Sequence, residues 1–228
     1  MANNYYEATG VLMLDQITPV IKALFSTFAL DESYPCHGQA YIARTAETSD
    51  PQWLDVQDGL EDLANQLAVL LPDKDERSIP LLLTLLASHF GADKDEELEN
   101  LIEHHSFEDA ADLGALFLIA SCFDDGHHLA AIQFEGCWYC SKPRLFEFGG
   151  HGCYLSREVC VYRTSSEILQ FGEQLRKAII TTDIEQASAL LALETASLLT
   201  GITDEQFRLD LQRRVAERLA QVPMISAS

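Results

Sequence analysis

Basic residues are what this sequence lacks. Its 228 residues hold 15 Lys+Arg against 36 Asp+Glu, a formal net charge of −21. A surface of that sign repels phosphate backbones and anionic lipid headgroups and attracts basic partners. Direct nucleic-acid binding and membrane binding are therefore not expected. The deficit is uneven: residues 1–126 carry 24 Asp/Glu and 5 Lys/Arg, whereas residues 127–228 carry 12 and 10. Long apolar runs are missing as well. The most apolar stretch, "IPLLLTLLAS" at Ile79–Ser88, is about half of what a bilayer crossing needs. The opening "MANNYYEATG" has no basic segment followed by an apolar one, so no secretory signal is expected. Six cysteines are too few for a disulfide scaffold at this length. Together these absences predict a reduced, cytoplasmic protein with free thiols. Catalytic signatures are also missing: there is no G-x-S-x-G, no Walker-type loop and no dinucleotide-binding glycine pattern. Cys36 and His37 are neighbours in sequence, whereas catalytic dyads are assembled in space. An enzyme finds little support.

What is present is an ordinary globular composition. Hydrophobic residues make up 47% and charged residues 22%, enough to build a core and to argue against disorder. The length fits a single domain, divisible into an acidic half at 1–126 and a second half at 127–228.

Periodicity and boundary residues predict the elements. "YYEATGVLMLD" reads as a strand, "QITPVIKALFSTFALD" as a helix with Pro19 in its first turn, and "GQAYIARTAE" as a second strand, a β-α-β opening. "SDPQWLDVQDGLEDLANQLAVLL" follows as a helix capped by Ser49 or Asp50, with Pro51 at its first position and Gln52 completing a capping box. Three helices are expected at Ile79–Phe90, Asp93–His105 and Phe107–Cys122, the last turning apolar and able to end as a strand. From His128 to Arg163 the period is two, with Ile132, Phe134 and Trp138 on one face and three antiparallel strands. Gly149, Gly150 and Gly152 read there as a turn or bulge. Thr164, Thr182 and Thr203 each open a capping box before a helix, and Gly201 stops the second of these. Between Gln186 and Thr200 that second helix carries one charge, Glu194, so it is buried or forms a homodimer contact. The last helix aligns Phe207, Leu211, Val215 and Leu219. The fold class is α+β: a mixed or antiparallel sheet, built from the β-α-β unit and the central three-strand meander, is covered by helices and followed by a helical segment.

Three constellations could carry function. Cys137-x2-Cys140 places two thiols at a spacing that suits tetrahedral zinc, and Cys153 with either His151 or Cys160 could complete the set. Against this, six residues separate Cys153 from Cys160, Trp138 and Tyr139 fill the first gap with large rings, and free cysteine is often buried. The residues favour cysteines packed in a sheet, with no cofactor, over a zinc site. A redox pair is weaker still, because such a motif opens a helix and this one ends a strand. The second constellation is "DDGHH" at Asp124–His128, with "EHH" at Glu103–His105. Two carboxylates and two imidazoles could hold a divalent ion, but Asp-Asp-Gly is also a plain turn signal. The third is "DKDEELENLIEHHSFEDAAD". Asp93, Asp95, Glu96, Glu97, Glu99, Glu103, Glu108, Asp109 and Asp112 stand there against Lys94 alone. Most such runs are solvated helix faces, and acids at a helix start suit its dipole. The excess over 1–126, however, far exceeds what solubility needs.

The segments "TPVIKALFSTFALDESYP" and "FEFGGHGCYLSREV" resemble an uncharacterised protein family carried on integrative conjugative elements of proteobacteria, and the similarity spans most of the chain. No activity is known for that family, so no residue inherits a role. The resemblance implies a mobile-element setting, in which anti-restriction and anti-CRISPR proteins occur and many are small and acidic.

The sequence therefore predicts an acidic, non-enzymatic interaction protein that binds a basic protein surface. Its sharpest form is a nucleic-acid mimic that blocks a host defence or DNA-binding complex, with Asp93–Asp112 as the contact. The alternative is a zinc-stabilised module or metal-dependent enzyme using Cys137, Cys140 and Cys153. A third reading is a homodimer through Gln186–Thr200.

Overall fold

Alternation along "NYYEATGVLM" makes Asn4–Met13 a strand, β1, which buries Ala8 and Leu12 on one face and leaves Glu7 and Thr9 on the other. The computed structural model describes residues 4–45, 49–142, 144–145 and 147–221. The chain divides into two units, Met1–Ser156 and Arg157–Ser228. In the first, β1 pairs antiparallel on one edge with β3 (Gln39–Thr45) and on the other with β4 (Ala131–Cys140). A short strand β2 (Asp31–Pro35) adds to β3, and β5 (Gly149–Ser156) adds to β4, also antiparallel. The order across this sheet is β2-β3-β1-β4-β5. The protein is thus α+β with an antiparallel sheet.

Helices cover one face. They are α1 (Pro19–Phe25), α2 (Trp53–Gln66), α3 (Ile79–Phe90), α4 (Glu96–His104) and α5 (Leu113–Cys122). Leu12, Ile42, Ile132 and Phe134 from the strands meet Ile21, Leu24, Leu60, Leu83 and Leu116 from the helices in one cluster. Gln133, Glu135 and Cys137 on the opposite face of β4 stay in solvent, the usual arrangement for an antiparallel sheet with one solvated side. Gly59 lets α2 cross α1 closely, since a Cβ there would lie 2.2 Å from the Ala23 carbonyl oxygen. No helix among the described residues is long and apolar enough to cross a membrane.

Several boundaries differ from the sequence reading, each for a local reason. The first helix ends at Phe25, passes through a 3-10 turn at Ser26–Phe28 and stops at Ala29 in the left-handed region. The "DESYP" that follows forms the unforeseen β2. Ser49 does not cap α2; it pairs with Thr45 as a bridge. Gln52 is the cap and Asp55 its capping-box partner, so Pro51 precedes the helix. Ala46 and Glu47, expected to end a strand, lie outside the described residues. Asp95 caps α4, so Asp93 falls before it. The expected Phe107–Cys122 helix begins only at Leu113, capped by Asp112, because Phe107 and Asp109 have positive φ and break any helix there. It remains helical to Cys122. The Gly149–Gly152 cluster lies inside β5 rather than in a turn. There it clears room for rings: a Cβ on Gly149 would come within 2.2 Å of Trp138.

The second unit holds β6 (Cys160–Thr164), α6 (Ser165–Ile180), α7 (Ile184–Thr200) and α8 (Glu205–Gln221). Thr164 and Glu167 form the expected capping box of α6. The next two helices are capped one residue later than read, by Asp183 and Asp204. Gly201 does end α7, but with φ −70; what it allows is close approach, as a Cβ would sit 2.0 Å from the Cys160 carbonyl oxygen. The Gln186–Thr200 segment is not buried: no residue of α7 is.

Candidate functional site

The sheet register decides what the cysteines can do together. Cys137 and Cys140 are three apart on a regular strand, so their side chains leave opposite faces; Cys137 is exposed and Cys140 buried. Cys153 pairs with Phe134 and His151 with Gly136, which puts both on the inner face with Cys140 and away from Cys137. The Cys140 thiol hydrogen-bonds Glu147 and holds that carboxyl below its usual range. Cys160 is exposed on β6. Among the described residues no three His, Cys, Asp or Glu side chains form a group able to hold a metal ion.

His151 belongs instead to an aromatic cluster that the sequence reading missed. The Tyr6 hydroxyl lies 2.7 Å from His151 Nε2, and the His151 ring stacks between Tyr6 and Trp138 at 5.7 and 6.4 Å. Arg44 lies 5.2 Å over the Tyr6 ring. The only sequence signal for this packing is the glycine pair that makes space for it: Gly136 and Gly149 have no side chains to meet the rings.

"DDGHH" is a turn. Asp124 Oδ1 accepts the amides of Gly126 and His128, and Asp125 accepts the Val20 amide at the start of α1. His127 is buried, and its Nδ1 accepts the Leu129 amide at 2.9 Å, which requires the neutral ring. His128 faces Asp15 at 2.8 Å on the surface. In "EHH", His105 Nδ1 accepts the Phe107 amide, so its Nε2–H donates to Asp112 at 2.9 Å, with Trp53 edge-on at 5.0 Å. These are scaffold histidines.

The acids of Asp93–Asp112 divide into two kinds. Asp95 and Asp112 cap α4 and α5. Asp93, Glu96, Glu97, Glu99, Glu103, Glu108 and Asp109 are exposed, and none of these seven takes part in an ion pair among the described residues. On α4 the buried stripe is Leu98 with Leu101 and Ile102 beside it. Glu96, Glu99 and Glu103 share the opposite side within about 60° of arc, stepping about 4.5 and 6 Å along the axis. Glu96, Glu97, Asn100, Leu101 and Leu118 line a shallow groove.

A second stripe, not singled out in the sequence, runs along α2. Asp55, Asp58 and Asp62 repeat the same spacing on its exposed side, and the signal was legible as "DVQDGLED". Backbone pairing brings the two regions together. The Trp53 amide donates to Asp109 O at 2.9 Å and the Ala111 amide to Pro51 O at 3.0 Å. The start of α2, with Asp55, therefore lies against Glu108, Asp109 and Asp112. Two of the five basic residues in 1–126 are already engaged: Arg44 pairs with Asp50 and Arg77 with Glu61, at 2.6 and 2.8 Å. No protein-family model, curated protein or solved structure matches the chain.

Proposed function

We propose that the first unit is an acidic docking module that occupies the basic groove of a nucleic-acid-binding protein. Glu96, Glu99 and Glu103, with Asp93, Glu97, Glu108 and Asp109 around them, stand in for backbone phosphates. A rigid row of carboxylates supports this reading: α4 holds them about 4.5 and 6 Å apart along its axis, a negative track of the same order as, but wider than, the roughly 3.4 Å of axis per phosphate in one DNA strand. The observation that carries it is the set of seven exposed carboxylates on and beside α4, next to the Asp55 end of the α2 stripe. Solubility alone calls for far less charge. In this reading the protein is not an enzyme, and its setting is a bacterial mobile element whose host target is a defence or DNA-binding complex.

The test uses the full chain as bait against bacterial lysate at about 50 mM and about 500 mM salt, beside a Glu96→Gln/Glu99→Gln/Glu103→Gln variant. The expected result is a nucleic-acid-binding partner that the wild type captures at low salt only and releases when duplex DNA is added. The variant should capture at least about tenfold less. Capture that survives high salt, ignores DNA and is unchanged in the variant would overturn the proposal.

A further inference from the structure

The second unit exposes apolar surface on a scale that the first does not. Of the large hydrophobic side chains that are half or more exposed among the described residues, Tyr162, Ile168, Leu169, Ile179, Ile180, Ile184, Leu191, Leu193, Leu198, Phe207, Leu209 and Leu219 all lie beyond Ser156, against five before it. Its three helices bury one residue, Ala178. At roughly 60–110 Å² apiece these side chains offer about 700–1,300 Å² over several faces, so part of them suffices for the roughly 800 Å² per partner of a standard protein interface.

On α7 the surface is ordered. Ile184, Leu191 and Leu198 recur every seven residues and stay 78%, 53% and 51% exposed, a seam about 21 Å long. Ala187, Ser188 and Thr195 flank the seam with small side chains that allow close helix approach. Glu194 borders it, and its charge is met by Arg163 at 3.4 Å.

The charges single out the occupant. Residues 157–228 hold 10 Asp/Glu and 8 Lys/Arg, so two copies of this unit meet with little net repulsion although the whole chain is at −21. Charge is also polarised along the helices. In α6, Glu167 and Glu173 precede Arg176 and Lys177. In α8 the first half holds Glu205, Arg208 and Asp210, a balance of −1, and the second Arg213, Arg214, Glu217 and Arg218, a balance of +2. Antiparallel copies related by a twofold axis would place each acidic half against a basic half, the self-complementarity that a symmetric contact requires.

We infer that the chain forms a homodimer in which the Ile184–Leu191–Leu198 seams of two α7 helices pack antiparallel against each other. The dimer carries two copies of the acidic surface on one particle. It does not depend on the partner proposed for that surface, because it forms from this protein alone.

Light scattering and sedimentation of the purified full chain, from about 1 to 100 μM, should give twice the monomer mass, with no loss at high salt. Leu191→Glu should weaken association at least about 100-fold, since symmetry counts each lost contact twice. Leu193→Glu, on the opposite side of α7, should leave the dimer intact. Circular dichroism of both variants separates dissociation from unfolding. A wild-type monomer at 100 μM, a folded Leu191→Glu that still dimerises, or equal disruption by both variants would overturn the inference.

Discussion

Asp95 and Glu99, four residues apart, show how neighbouring acids serve different ends. Asp95 accepts the amides of Glu97 and Leu98, whereas Glu99 is exposed to solvent. Asp95→Ala should therefore cost about 1 kcal/mol in a urea melt, and Asp95→Asn much less. Glu99→Gln should change stability by no more than about 0.5 kcal/mol while weakening partner capture. His127 gives a second residue-scale expectation. Burial depresses its pKa below the ordinary value of about 6.5, and its unprotonated Nδ1 is committed to Leu129. The unfolded chain then takes up a proton that the folded one refuses, so this contribution is intact above about pH 6.5 and is lost as pH falls toward the depressed value. Burial lowers His151 in the same direction. Melts between about pH 5 and 7 should show stability rising with pH, with a shallower slope in His127→Gln.

At the scale of elements, helix existence was legible and helix starts were less so. Apolar periodicity located all five helices of the first unit, but in the second unit the caps were misplaced where a threonine stood beside an aspartate. "Thr182-Asp183" and "Thr203-Asp204" each offered a threonine box, and in each the aspartate took the amide instead. Aspartate ranks above threonine as a cap, which the pattern alone does not weigh. Asp183→Ala should thus cost about 1 kcal/mol and Thr182→Ala little, as a thermal melt would show. The β5 glycines were misread for a different reason. Their role depends on Trp138 from the partner strand, and no pattern within "GGHG" announces a ring laid across it. Gly149→Ala should destabilise by about 1–3 kcal/mol, because the tryptophan must shift. The cysteine spacing misleads in the same way: C-x2-C suggests convergence, yet the strand period of two sends the thiols apart.

Across the whole molecule, the charge asymmetry could be counted from composition, and its boundary sits near the boundary between units. Residues 1–156 hold 26 Asp/Glu against 7 Lys/Arg, and residues 157–228 hold 10 against 8. What counting could not supply was the backbone pairing of Pro51–Trp53 with Asp109–Ala111, which sets the α2 acids beside those following α4. Like charges held together oppose folding, so raising salt from about 20 to 300 mM should increase the melting temperature through screening.

Both tryptophans, Trp53 and Trp138, belong to Met1–Ser156, and Trp53 is almost wholly enclosed. Indole fluorescence therefore watches only the sheet and its helices, while α6–α8 are dark at that wavelength and visible by their ellipticity at about 222 nm. Followed together through a single titration with denaturant, the two signals turn this accident of composition into a built-in gauge of whether the halves let go in concert.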